Sequence, residues 1–174
     1  MARRYGKEVV DDERTRFEAL DAAELAIVEL FQFMIGGHDW SVIGGPPGER
    51  CCHNARLLRE PGWKADLIPV PYDFDLTGIV DAPYAFPPKQ IPIRNVRQRF
   101  FRGRCKGPAL WDLTFERFRD AKPAVYELYR NNEWLSKRKL TRTLSYLDDF
   151  YAIMDNERRL EDTITSRCRG PVPD

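Results

Sequence analysis

The stretch from Asp21 to Gly37 constrains the fold more than any other part of the chain. Asp21 can cap a helix and Glu24 stands three residues later, as in a capping box. Leu25, Val28, Phe31 and Ile35 then recur at helical spacing. Leu30, Phe33 and Met34 lie off that stripe, so the helix is apolar on more than one side and has to be central rather than superficial. Gly36 and Gly37 stop it. A chain of 174 residues has the length for one domain built around such a helix.

Residues 1–20 are polar and charge-dense, with only Tyr5, Val9, Val10, Phe17 and Leu20 able to pack. They read as a linker-like segment ahead of a domain over 21–174. After the helix, the turn formers Gly44-Gly45-Pro46-Pro47-Gly48 lead to Cys51-Cys52-His53-Asn54. Two extended runs, 54–58 and 65–70, separated by Glu60-Pro61-Gly62, predict a hairpin. Pro69 and Pro71 keep its second run out of a central sheet position, so an isolated ribbon is expected. Pro83, Pro87, Pro88 and Pro92 mark an irregular crossing. Helices are then predicted over 96–102, 113–120 and 123–129, from Ser136 to Met154, and around Leu160 and Ile164. The expected class is α+β, mostly α, with a small β-hairpin and a C-terminal helical bundle. The aromatic residues of the hairpin and the helical half, Trp63, Trp111 and Trp134 among them, are assigned to core packing.

With 28 lysines and arginines against 27 aspartates and glutamates, no general field steers the chain onto nucleic acid or an anionic membrane. Any partner has to be argued locally. No apolar run is long enough for a membrane span, and the first residues lack the hydrophobic core of a signal peptide. Cys51, Cys52, Cys105 and Cys168 match no zinc-ribbon or thioredoxin spacing. Two readings stand for them: small buried thiols, or a Cys105–Cys168 staple of the C-terminal half, which requires an oxidising compartment.

Asp39 follows the central helix at once, in a place both rigid and able to reach a cleft. Most loop aspartates only satisfy backbone groups, so Asp39 alone says little. His53-Asn54 opens the first hairpin strand and Asp73-Phe74-Asp75 follows the second, so closing the hairpin should bring Asn54 beside Asp73. Amide and carboxylate oxygens are hard ligands suited to Mg2+ or Mn2+ with nucleotide phosphates. Asp39 would then orient or deprotonate an attacking hydroxyl.

The order Asp39, His53-Asn54, Pro71-Tyr72-Asp73-Phe74-Asp75 resembles the C-lobe of atypical protein kinases of the spore-coat kinase CotH type. More closely, MIGGHDWS, CHN, IPVPYDFDLTGIVDAPYA and VRQRFFRG look like a group of uncharacterised bacterial proteins distantly related to that class. The resemblance covers roughly residues 20 to 170. It implies a kinase-like phosphotransferase C-lobe using Mg2+ or Mn2+ and ATP, part or a truncated form of a larger enzyme. Asp39 becomes the catalytic aspartate, Asn54 and Asp73 the metal ligands, Asp75 a second-metal ligand, and His53 a nucleotide-site residue that orients the loop. The acceptor is a hydroxyl on a protein or small molecule, and the setting is extracytoplasmic, in keeping with the cysteines.

Two departures accompany it. Gly37-His38 stands where related proteins commonly have Asn-Thr. No room precedes Asp21 for the N-lobe sheet and its ATP-binding lysine; Lys7 and Lys64 are no substitutes, and Gly44 to Gly48 lacks a Gly-Lys-Ser/Thr ending. An N-lobe partner segment is therefore expected. A rival reading is a non-catalytic binding module whose surface is the basic stretch Arg94, Arg97, Arg99, Arg102, Arg104 and Lys106. A zinc hydrolase using His38, Cys52, His53 and Asp73 is poorly supported, because the chain has only two histidines and no zinc-binding spacing.

Overall fold

The computed structural model describes residues 6–170. Its elements in order are β1 (Glu8–Val9), a 3-10 turn (Phe17–Ala19), α1 (Ala22–Ile35), β2 (Ala55–Arg59), β3 (Ile68–Pro71), α2 (Pro108–Arg130), α3 (Lys137–Met154) and α4 (Glu157–Leu160), which runs into a π turn (Glu161–Thr165). The class is α+β and mostly helical, as expected.

α1 begins and ends as its local chemistry dictates. The Asp21 carboxylate accepts the Glu24 N–H at 2.8 Å, and Gly36 closes the helix in the left-handed region at φ 66°. The helix is buried on most sides; even Glu29 and Gln32 are inside. Its C-terminal half packs into an aromatic core with Phe101, Trp111, Phe115, Phe150 and Tyr151. At its start, Leu25 joins a second cluster with Val10, Leu20, Trp40, Leu57 and Leu67 beneath the sheet.

The sheet has the order β1-β2-β3, all antiparallel, with Ala55 opposite Pro71, Leu58 opposite Ile68 and Glu8 opposite Arg59. β3 is an edge, where its prolines withhold no donor from a neighbour. The ribbon is not isolated, however, and residues 6–20 are not linker-like. β1 pairs with the open edge of β2, the Val10 N–H donates to the Leu57 carbonyl at 2.9 Å, and Val10 and Leu20 are buried. The charge density that suggests a linker is itself part of the pairing, since Arg59 meets Glu8 and Lys7 meets Glu60 across the strands. Tyr5 lies outside the described residues.

Two helix expectations fail for different reasons. Residues 113–129 belong to one helix that passes through Pro123, because Pro123 and Arg119, whose carbonyl it orphans, are both exposed and water can satisfy that group. Residues 96–102 are not helical. They run irregularly across the end of α1, and their arginines serve the backbone there. Arg99 donates from Nε and Nη2 to the Met34 carbonyl at 3.2 and 3.1 Å while its guanidinium lies 3.7 Å over the Tyr146 ring. Arg97 donates to the Gly78 carbonyl at 3.2 Å and Arg102 to the His38 carbonyl. Lys106 is buried against Glu29. Most of the basic stretch that the rival reading offers as a partner surface is thus turned inward, with Arg94 its exposed member.

The residues after β3 complete the capping of α1. The Ile79 and Gly78 N–H groups donate to the carbonyls of Ile35 and Gly36 at 2.9 and 3.0 Å. This approach requires glycine at 78, where a Cβ would lie 2.5 Å from the Val96 carbonyl oxygen and 3.0 Å from the Arg97 Cα, both backbone. Gly78→Ala should therefore cost at least about 2 kcal/mol by overpacking, read as a lowered urea midpoint with an unchanged slope. A midpoint equal to that of the parent would mean that these segments do not meet so closely.

Candidate functional site

The capped end of α1 positions the loop that follows it. His38 turns inward: its Nε2–H donates to the Gln98 carbonyl at 2.9 Å, and burial pushes its pKa down. Trp40 also turns inward and donates to the Gly37 carbonyl at 3.1 Å. With both neighbours anchored, Asp39 is left facing outward, part-exposed.

The loop is tied to the hairpin by the Ser41 N–H donating to the His53 carbonyl at 2.9 Å. His53 Nε2 meets Asp39 Oδ1 at 2.7 Å, and Asn54 Nδ2 donates to the Asp39 carbonyl at 2.7 Å and to Oδ2 at 3.1 Å. Both carboxylate oxygens of Asp39 are thereby held. Since the Asn54 nitrogen is used, Oδ1 is the amide atom available to a ligand. Across the strand pair, the Tyr72 N–H donates to the Asn54 carbonyl at 3.0 Å, which brings Asp73 to the same end of the hairpin.

Asn54 and Asp73 both adopt left-handed backbone, at φ 51° and 58°, a conformation that Asn and Asp tolerate better than other side chains. Between Asp73 and Asp75, Phe74 is pinned edge-on to Phe31 of α1, with ring centroids 5.6 Å apart. The two flanking aspartates are thus presented together. A hydrogen bond shared with Asp75, and its charge, hold the Asp73 carboxyl above the usual carboxylate range, and the charge of Asp39 pushes the same way. The Tyr84 hydroxyl is also raised, by Asp75 first and then Asp73.

The structure therefore gathers Asp39, His53 and Asn54 by direct hydrogen bonds, and it sets Asp73, whose carboxyl Asp75 pushes up, within electrostatic reach of Asp39. Tyr84 was missed because nothing local marks a tyrosine in the proline-rich crossing as a neighbour of Asp75. Two clefts flank the cluster. One, of about 370 Å³, is lined by His53, Asn54, Arg56 and Tyr72, with the Arg56 guanidinium 5.1 Å over the Tyr72 ring. The other, of about 320 Å³, is lined by Asp39, Leu76, Phe86 and Lys89.

Among the described residues, no three His, Cys, Asp or Glu side chains converge as a ready-made metal site. The donors present fit a hard cation that keeps water and draws further oxygens from a phosphate, as Mg2+ does, rather than one caged by protein. The zinc set fails on geometry: His38 is committed to Gln98, and Cys52 is paired with Cys51. No family model matches the chain, no curated protein is similar to it in sequence, and no solved structure is similar to it.

Proposed function

We propose that the chain is a kinase-like phosphotransferase C-lobe in which Asp39 is the base, Asn54, Asp73 and Asp75 hold a divalent cation, and His53 fixes the orientation of Asp39. One observation carries the reading. Asp39 has both carboxylate oxygens held by His53 and Asn54, and Asp73 lies at the same end of the hairpin, near enough for the charges of Asp75 and Asp39 to push its carboxyl up. Crowded carboxylates that retain a proton are relieved when a cation replaces it.

In the proposed reaction the acceptor hydroxyl oxygen bonds to the γ-phosphorus of ATP as the bond from that phosphorus to the β–γ bridging oxygen breaks, and the hydroxyl proton passes to Asp39. Bound Mg2+ or Mn2+ would neutralise charge on the phosphate oxygens. The cleft at Arg56 and Tyr72 would offer a cation and a ring to the nucleotide, and the cleft at Phe86 and Lys89, which Asp39 also lines, would receive the acceptor. The lysine that holds ATP phosphates in such enzymes would come from an N-lobe on further chain or on a partner. The Cys105–Cys168 pairing supports the extracytoplasmic setting.

The decisive test is Mn2+ titration of the whole chain, followed by water-proton relaxation. Asp73→Asn keeps the left-handed backbone and alters an exposed side chain, so the fold should survive. Affinity should fall at least about tenfold, the order of a lost charge pair. In the parent, the raised Asp73 carboxyl keeps its proton at a pH where a lone aspartate has lost it. Mn2+ must displace that proton, so affinity should decline with acid from a higher pH than for an isolated carboxylate. A parent that binds no Mn2+, or an Asp73→Asn variant that binds it equally well, overturns the reading.

A further inference from the structure

We infer that the tip of the α2–α3 hairpin is a contact for an anionic lipid surface, independently of the proposed catalytic site. The aromatic residues of the helical half were expected in the core, yet Trp134 is 95 % exposed and Leu128 69 % exposed. Nothing from residue 127 to residue 142 is buried; the last buried residue of α2 is Tyr126 and the first of α3 is Thr143. Tyr129 still packs against the core and Arg142 meets Asp81, so the part of the tip that stands clear is the end of α2, the loop and about one turn of α3, about 6 Å of helix at 1.5 Å per residue. That matches the depth, about 5–10 Å, to which apolar side chains enter the headgroup and acyl boundary.

The loop holds Trp134 outward in an ordered way. The Trp134 N–H donates to Asn132 Oδ1 at 2.9 Å, and Ser136 caps α3 by accepting the Lys139 N–H at 3.3 Å. A large ring kept in water by a fixed turn is costly unless something covers it.

Charge points to the occupant. Lys137, Arg138 and Lys139 form the first turn of α3, all exposed, with no carboxylate beside them in that turn. The positive end of the helix dipole disfavours cations there. None of the three forms an ion pair among the described residues. Between positions 127 and 139 the chain has four cations against two carboxylates, Glu127 and Glu133. Cations that oppose their own helix and have no internal partner, next to an exposed Trp, are the elements of an interfacial anchor: lipid phosphates take the charges and the headgroup region takes the ring.

The test is co-sedimentation of the whole chain with vesicles of phosphatidylcholine alone and of phosphatidylcholine mixed with phosphatidylserine, whose headgroups give the surface its negative potential. Binding should appear only with the anionic vesicles and fall with salt. Exchanging Lys137, Arg138 and Lys139 for glutamine should lower it roughly 100-fold, at about fivefold per cation, and Trp134→Ala should lower it by at least about tenfold. These side chains are exposed, so melting temperatures should not move. Absence of binding to anionic vesicles, equal binding to neutral ones, or full binding by Trp134→Ala overturns the assignment. Trp134-dependent self-association without lipid would give the tip to a second copy of the chain and overturn it as well.

Discussion

Replacing Lys106 with alanine should destabilise the fold by about 3–5 kcal/mol, the cost of stripping one partner from a buried ion pair. Glu29 and Lys106 are 3 % and 5 % exposed and meet directly. The remaining capacity of each is used locally. Glu29 Oε1 accepts the Arg104 N–H at 3.0 Å, Lys106 Nζ donates to the Arg104 carbonyl at 3.0 Å, and the ammonium lies 5.2 Å from the Trp111 ring. The pair therefore fastens residues 103–106 to the middle of α1.

Burial already pushes the Glu29 carboxyl up, with Lys106 opposing. Without Lys106 the carboxylate keeps only the weaker charge of Arg104, so the folded variant takes up a proton that the unfolded chain releases. A carboxyl whose folded pKa lies above its unfolded value favours the fold at low pH, and that contribution is lost as pH rises through the folded pKa. The deficit of Lys106→Ala should thus be small in acid and grow towards neutrality, which urea denaturation across pH will read. The double change Glu29→Leu with Lys106→Met should recover much of the loss, because no charge is left inside. A deficit below about 1 kcal/mol at neutral pH, or one flat with pH, would show that Glu29 has other means of compensation.

Breaking the Cys105–Cys168 bond should cost roughly 4 kcal/mol, the loop-closure value for a crosslink of this span. The two cysteines are 63 positions apart, and their bond encloses α2, α3 and α4. The contacts at the closure are slender: the Cys105 N–H donates to the Arg169 carbonyl at 3.2 Å and the Arg169 N–H to the Gly103 carbonyl at 2.9 Å. Cys168→Ala leaves the paired Cys51 and Cys52 untouched, so it isolates this bond in a way that a reductant does not. A fall in melting temperature of about 10 °C is expected for a chain of this length, and the parent under reductant should fall at least as far. A variant melting within about 2 °C of the parent would show that packing of the buried Ile164 holds the last turn by itself.

Much of the candidate site was legible because antiparallel pairing is a geometric rule. The runs 54–58 and 65–70 are legible as partners, but the turn between them is longer than Glu60-Pro61-Gly62, and it is the observed register, with Ala55 opposite Pro71 and the Tyr72 N–H on the Asn54 carbonyl, that brings Asp73 to the end carrying Asn54. The contacts that give the site its character were not legible. His53 and Asn54 reach Asp39 across 14 and 15 residues of loop, and Tyr84 comes beside Asp75 from the proline-rich crossing. No spacing rule connects those positions.

The sequence by itself determined the elements whose ends carry their own chemistry. α1 lies between the Asp21 cap and Gly36, and α3 starts at the Ser136 cap, since a helix end is satisfied by side chains a few residues away. Only the tertiary structure decided the third strand, the irregular path of residues 96–102 and the inward turn of the arginines. Val96 to Arg102 has the composition of an amphipathic helix, but the unpaired carbonyls at the end of α1 take its guanidinium groups as donors. That demand arises more than 60 residues away in the chain, so it enters the free energy only once the fold has brought the two segments together.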